Sequence, residues 1–138
     1  MRQHPQHGQQ ILRGIEFLEG AARVVAQHHE KWDGSGYPVG LRGDEIDVCA
    51  RIFSVADAFD AITSNRVYRK GKPYHAAAEE LDLWAGKQFD PKVVEAFHRV
   101  PQQDWDELRD QSLIRQADEL EMGRMVDMLE PHLEVVGN

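Results

Sequence analysis

Apolar residues recur at helical spacing along almost the whole chain, and no stretch alternates apolar and polar residues as a strand would. Residues 5–19 carry Ile11, Leu12, Ile15 and Leu18 on one stripe. Gly20 separates them from a second expected helix, 21–32, with Ala22, Val25 and His29 along one face. Residues 33–47 hold four glycines and one proline and read as loop. A third helix is expected over 48–64, where Ile52, Phe53, Ala56 and Phe59 are interleaved with Asp57 and Asp60. A basic loop, 65–73, ends at Pro73. A fourth helix, 74–86, carries Ala77, Leu81 and Trp84, with Gly86 as its stop. Asp90 caps a fifth, with Pro91 at its first position and Val94 and Phe97 inside. Pro101 opens a last helix to about Leu129, whose apolar stripe runs through Trp105 and Leu108 and then slips. It resumes at Leu113, Ala117 and Leu120 and slips again to Met122, Met125, Val126 and Leu129. The expectation is an all-α chain.

From the end of the second helix into the loop runs His28-His29-Glu30-Lys31-Trp32-Asp33-Gly34-Ser35-Gly36-Tyr37-Pro38. Neutral imidazole is a transition-metal ligand. Helical neighbours point about 100° apart, so both rings can serve metal only at a helix end or across two ions. Read alone, the pair is more readily one packed and one solvated histidine than a pair of ligands. Asp57 and Asp60 lie three apart on one helical face among apolar residues. That pattern suggests that Asp57 points inward, where a buried carboxylate needs a cation or donors. Ser64 continues that face as a donor or a cap. Arg66 and Arg69 follow in the basic loop, and guanidinium forks match phosphate oxygens in a bidentate way. A solvated basic loop is the plain alternative.

These residues together resemble the HD-GYP family, a branch of the HD metal-dependent phosphohydrolases. The likeness rests on the HHExxDGxGYP run at 28–38, on Ala50-Arg51-Ile52, and on Val55-Ala56-Asp57 through Ser64. It continues with Arg66, Tyr68 and Arg69, with Gly86-Lys87-Gln88-Phe89-Asp90-Pro91, and upstream with His4-Pro5 and Gly8. Several ordered motifs make it far more specific than one pattern. The resemblance implies an HD-type helical bundle with His4, His28, His29 and Asp57 as metal ligands. It implies that Asp60 is a catalytic group that faces the substrate or orients neighbouring groups, and that Tyr37, Arg66 and Arg69 contact the substrate. The implied reaction is hydrolysis of a cyclic dinucleotide, cyclic di-GMP. Iron or manganese suits imidazole and carboxylate without thiolate, and zinc or nickel is compatible. His7, His75, His98 and His132 match no metal position.

The family's name-giving His-Asp pair has no counterpart here, since the chain contains no adjacent His-Asp. The expectation is therefore a bundle incomplete at the N-terminus, with an additional C-terminal helix. Residues 1–100 would form the HD-GYP-like domain and 101–138 an acidic helical extension. Three expectations about function follow: a cyclic di-GMP phosphodiesterase, a non-catalytic metal-, nucleotide- or protein-binding module, or a fragment of a larger signalling regulator.

Charge sharpens the list of partners. Residues 101–138 hold three basic and ten acidic residues, which accounts for −7 of the net −8. That balance opposes wrapping duplex nucleic acid. The remainder can attract an anion locally through Arg51, Arg66, Arg69, Lys70 and Lys72. No apolar run of about 18 residues marks a membrane span. No N-terminal apolar signal region is present, and a single cysteine, Cys49, expected to pack as a small apolar residue, suits a reducing cytoplasm. Apolar faces on the first two helices and the last predict a homodimer. A GGDEF-type signalling partner is implied by the family alone.

Overall fold

The computed structural model describes residues 18–133, with side chains to 124. Among these residues the regular structure is helical: α1 (Glu19–Gln27), α2 (Val48–Thr63), α3 (Tyr74–Trp84), α4 (Pro91–Arg99) and α5 (Gln102–Leu133), with a 3-10 turn at Gly43–Glu45. No strand forms among them, and only two isolated bridges occur, Arg66 with Arg69 and Ala85 with Phe89. The all-α expectation holds. The chain divides into two compact units, Met1–Arg99 and Val100–Asn138.

In the first unit α2 is the central helix, packed against α1, α3 and α4. Its start is set by Asp47, whose Oδ1 accepts the Cys49 N–H at 2.9 Å. Its end is set by Ser64, which turns extended after its N–H closes the last helical bond to Asp60. The core collects Ala50, Val55 and Phe59 of α2, Ala77, Ala78 and Leu81 of α3, and Val94 and Phe97 of α4. Phe97 stacks on Tyr74 at 5.7 Å between ring centroids and meets Phe59 at 5.2 Å. Gly86 ends α3 with a φ of +79°, a backbone region that glycine enters without strain. There the carbonyl of Trp84 accepts the N–H groups of Lys87, Gln88 and Phe89. Asp90 then caps α4, accepting the Lys92 N–H at 2.8 Å.

Three sequence expectations are corrected. The helix expected over 21–32 stops at Gln27, and Gly20 sits inside it rather than before it. Past Gln27 the amides find better partners outside the helix: Trp32 and Asp33 N–H groups donate to the carbonyls of Gln88 and Lys87 at 3.1 and 2.9 Å. Second, Ile52, Phe53 and Ala56 of α2 face outward, with Ile52 52% and Phe53 44% exposed. This helix is apolar on most sides, so periodicity could not select its buried face. Third, Cys49 is exposed rather than packed. The expected helix over 5–19 lies outside the described residues, apart from its last two positions.

The second unit contains α5, which runs 32 residues. Leu108, Leu113, Ile114, Leu120 and Met122 are all half or more exposed. The slipping stripe explains this, because no single face gathers enough apolar surface to bury. Polar pairs one turn apart line the helix instead, Gln103 to Glu107 at 3.0 Å and Arg109 to Asp106 at 3.0 Å.

Candidate metal site

The two histidines sit where α1 ends. His28 is the C-cap residue, still in helical conformation, and its N–H bonds Val24 O at 2.9 Å. The negative end of the helix dipole therefore faces the His28 imidazole, a position that favours positive charge. His28 Nδ1 lies 2.9 Å from the Val25 carbonyl. A carbonyl can only accept, so the contact suits a ring with its proton on Nδ1, and in the neutral ring that leaves Nε2 the lone pair a metal needs. Ser54 of α2 donates its hydroxyl to the His28 carbonyl at 3.1 Å and ties the turn to that helix.

His29 is held between rings. Its centroid is 4.0 Å from that of His28 and 4.9 Å from Tyr37, with the Tyr37 planes only 18° apart. Two features bring Tyr37 back to this place. Its N–H donates to the His29 carbonyl at 3.2 Å. Gly36 runs so close to the preceding turn that a Cβ there would lie 2.5 Å from the His29 carbonyl oxygen and closer still to Lys31 N. The Tyr37–Pro38 bond is cis.

Glu30 is the residue that sequence reasoning missed. It is 3% exposed, and its carboxylate accepts the N–H groups of Val39 at 2.8 Å, Gly40 at 3.0 Å and Leu41 at 3.0 Å. Three consecutive amides wrapped on one buried carboxylate fold the loop back on the histidine turn. A signal was available: a glutamate a few residues before the glycine-rich 33–47 loop is a carboxylate near amides that lack helical partners. In the same loop, hydrogen bonds from the Ser35 hydroxyl and N–H hold the Asp33 carboxyl below its ordinary range.

His28, His29, Tyr37, Ser54, Asp57 and Gln88 line one hollow of about 190 Å³. Asp57 reaches it from the outer side of α2, exposed rather than directed into the core. Two imidazoles and a carboxylate suit a hard-to-borderline divalent ion. Among the described residues no three such donors close round one point. His4 lies outside those residues.

The other expected site residues are not part of this hollow. Asp60 accepts the Ser64 hydroxyl at 2.8 Å and sits 3.8 Å from the Arg66 guanidinium. Arg66 and Arg69 bond each other's backbone across a tight turn, with Val67 and Tyr68 fully exposed at its tip. Arg69 Nη2 donates to the Ala61 carbonyl at the end of α2. An open recess of about 430 Å³ runs along Asn65–Lys70. Arg51 is not a free anion-binding charge, because it pairs with Asp44 and Asp90. His98, outside the expected ligand set, meets Asp82 at 2.6 Å.

A helical domain whose histidine turn and aspartate helix border one hollow is the framework of an HD phosphohydrolase. The sequence profile of the HD domain matches residues 1–93. The cyclic di-GMP phosphodiesterase of Thermotoga maritima is 43% identical over 102 residues, covering 72% of this chain and 28% of that protein. The cyclic di-GMP phosphodiesterase response regulator RpfG of Xanthomonas campestris is 43% identical over 101 residues, covering 72% of this chain and 27% of that protein. Among solved structures, a cyclic GMP-AMP-specific phosphodiesterase of Vibrio cholerae superposes with a TM-score of 0.57 at 28% identity, covering 71% of this chain and 23% of that one. The chain belongs to the HD-domain family, in its HD-GYP branch. It spans about a quarter of the length of the curated relatives it matches. HD-domain phosphohydrolases are metal-dependent. Among the described residues no helix is long and apolar enough to cross a membrane.

Proposed function

We propose that this chain takes part in metal-dependent hydrolysis of a cyclic dinucleotide, cyclic di-GMP. The observation that carries the reading is the shared hollow of His28, His29 and Asp57, with the His28 tautomer preset for a ligand at Nε2. His28, His29 and Asp57 would hold the metal, with His4 as the further ligand implied by the family. Iron or manganese is favoured over zinc or nickel by the imidazole-carboxylate set. A divalent ion supplies Lewis-acid polarisation of the phosphoryl group and activation of a water nucleophile. The chain's own residues do the positioning. The Val25 carbonyl orients His28, the Tyr37 ring walls one side of His29, and Glu30 keeps the loop closed. Arg66, Arg69 and Tyr37 are the proposed phosphate and base contacts, with Asp60 as the group facing the reacting ester. The setting proposed is cytoplasmic, with a GGDEF-type protein as a family-analogous partner.

Metal analysis and hydrolysis test this directly. The chain is expected to bind manganese or iron, and His29→Ala is expected to weaken that binding at least about tenfold. Turnover of cyclic di-GMP by this chain is expected to be slow, since the sequence has no adjacent His-Asp and the described donors do not close round one point. Fast turnover unaffected by His29→Ala would overturn the site assignment. The open donor geometry also favours a second reading, a non-catalytic metal- or nucleotide-binding module. Stoichiometric metal with no hydrolysis at any enzyme concentration selects it.

A homodimer is proposed as well, supported by the apolar residues exposed along α5. Sedimentation equilibrium is expected to give twice the chain mass of 15.8 kDa at micromolar concentration. A monomer across that range sinks the proposal.

A further inference from the structure

Arg51 and Asp90 are a charged pair that the proposed function leaves without a part. Arg51 Nη1 lies 2.8 Å from Asp90 Oδ2, with side chains 15% and 2% exposed. The same nitrogen is 3.1 Å from Asp44, in the loop beyond Pro38. The guanidinium lies 5.8 Å over the Trp32 ring. One turn further along α2, Ser54 holds the His28 carbonyl. Trp32 and Asp33 are themselves bonded to the carbonyls of Gln88 and Lys87, just before Asp90. One face of α2 thus grips the histidine turn at one point and the loop behind it at another.

The space between them is small and bordered by both polar and apolar side chains. Arg51 Nε is buried without a protein acceptor. Arg51 lines a cavity of about 10 Å³ together with Glu30, Ser54 and Gln88. Those three residues line the histidine hollow too, so the cavity backs directly onto it. It has about the room that one water needs. A buried ion pair adds little net stability over an apolar packing, yet removing one partner is costly. What such a pair supplies well is a fixed geometry, here for the backbone that carries two ligands.

We propose that Arg51 is a positioning residue for the His28–His29 turn, acting through Asp90, Trp32 and one water in the cavity that accepts from its Nε–H. The inference rests on the metal-site reading above. It extends that reading to a residue outside the hollow, as outer-shell partners orient ligands elsewhere.

The test uses the full chain with Co²⁺ alone as the probe. Titration reads affinity, the d–d bands read ligand geometry, and hydrogen exchange reads the amides of Trp32 and Asp33 against Val55 in the core. Arg51→Ala is expected to weaken Co²⁺ binding about tenfold or more. It should also shift the bands and unprotect Trp32 and Asp33 while Val55 stays protected. Arg51→Lys keeps the charge and loses the planar fork. It is expected to recover thermal stability but not cobalt affinity, and it decides the matter if Arg51→Ala does not fold. Affinity, bands and loop exchange within twofold of wild type in Arg51→Lys would overturn the proposal. So would losses that merely track Val55 exchange. If the wild-type chain shows no cobalt bands, the metal reading itself has failed. Loop exchange and the ring ¹⁵N resonances of His28 and His29 then decide the role of Arg51 alone.

Discussion

Gly36→Ala is expected to displace the histidine turn and to cost about 3 kcal/mol of stability, the upper range for forcing atoms into a packed site. The added Cβ would meet three backbone atoms: Lys31 N, the His29 carbonyl oxygen at 2.5 Å and Glu30 Cα at 2.6 Å. None of these is the flexible end of a side chain, so the backbone itself must move. Either the 28–31 turn shifts, which disturbs both imidazoles, or the loop swings out, which breaks the Tyr37–His29 stack. Urea denaturation measures the stability, and loss of ring-to-ring contacts between Tyr37 and His29 in proton spectra measures the displacement. A variant as stable as wild type with the stack intact would show that the loop has slack this structure lacks.

The second large effect is expected from Glu30→Ala, again about 3 kcal/mol. Its carboxylate receives three backbone amides, and hydrogen bonds to a charged group contribute about 1.5–3 kcal/mol each without being additive. Truncation leaves Val39, Gly40 and Leu41 N–H groups without their acceptor inside a closed loop. Glu30→Gln separates shape from charge. It keeps the volume, but its amide nitrogen would face an N–H where a carboxylate oxygen now accepts. An intermediate loss is therefore expected. Equal stability of Glu30→Gln and wild type would mean that one oxygen suffices, and a loss below about 0.5 kcal/mol in Glu30→Ala would remove Glu30 as the strut of the loop.

Much of this architecture was legible in the chain because it depends on neighbours in sequence. Apolar spacing marked α2, α3 and α4. Asp90 before a helical run, Pro91 at its first position and Gly86 past another are local signals with local causes, and they act as read. The HH pair, the Gly-Tyr-Pro loop and the aspartate helix were legible as motifs, and the HD-domain match over residues 1–93 agrees with them.

Other features could not be read locally. The early end of α1 follows from Trp32 and Asp33 pairing with carbonyls more than fifty residues away. The outward face of Ile52 and Phe53 follows from which side of an all-round apolar helix its neighbours occupy. Arg51 offered itself by composition as an anion-binding charge, and only its position beside Asp90 removed it from that list. Asp57 was expected to point inward and instead borders an open hollow, since its helix turns a different stripe to the core. By itself, then, the sequence determined the helical class, the Asp90 cap and the Gly86 stop, and it offered the candidate donors for metal and phosphate, because propensity, capping and donor chemistry belong to short segments. Tertiary structure alone decided which donors share a hollow, which charges are spent on one another and where the histidine turn is anchored, because those depend on contacts between segments far apart in the chain.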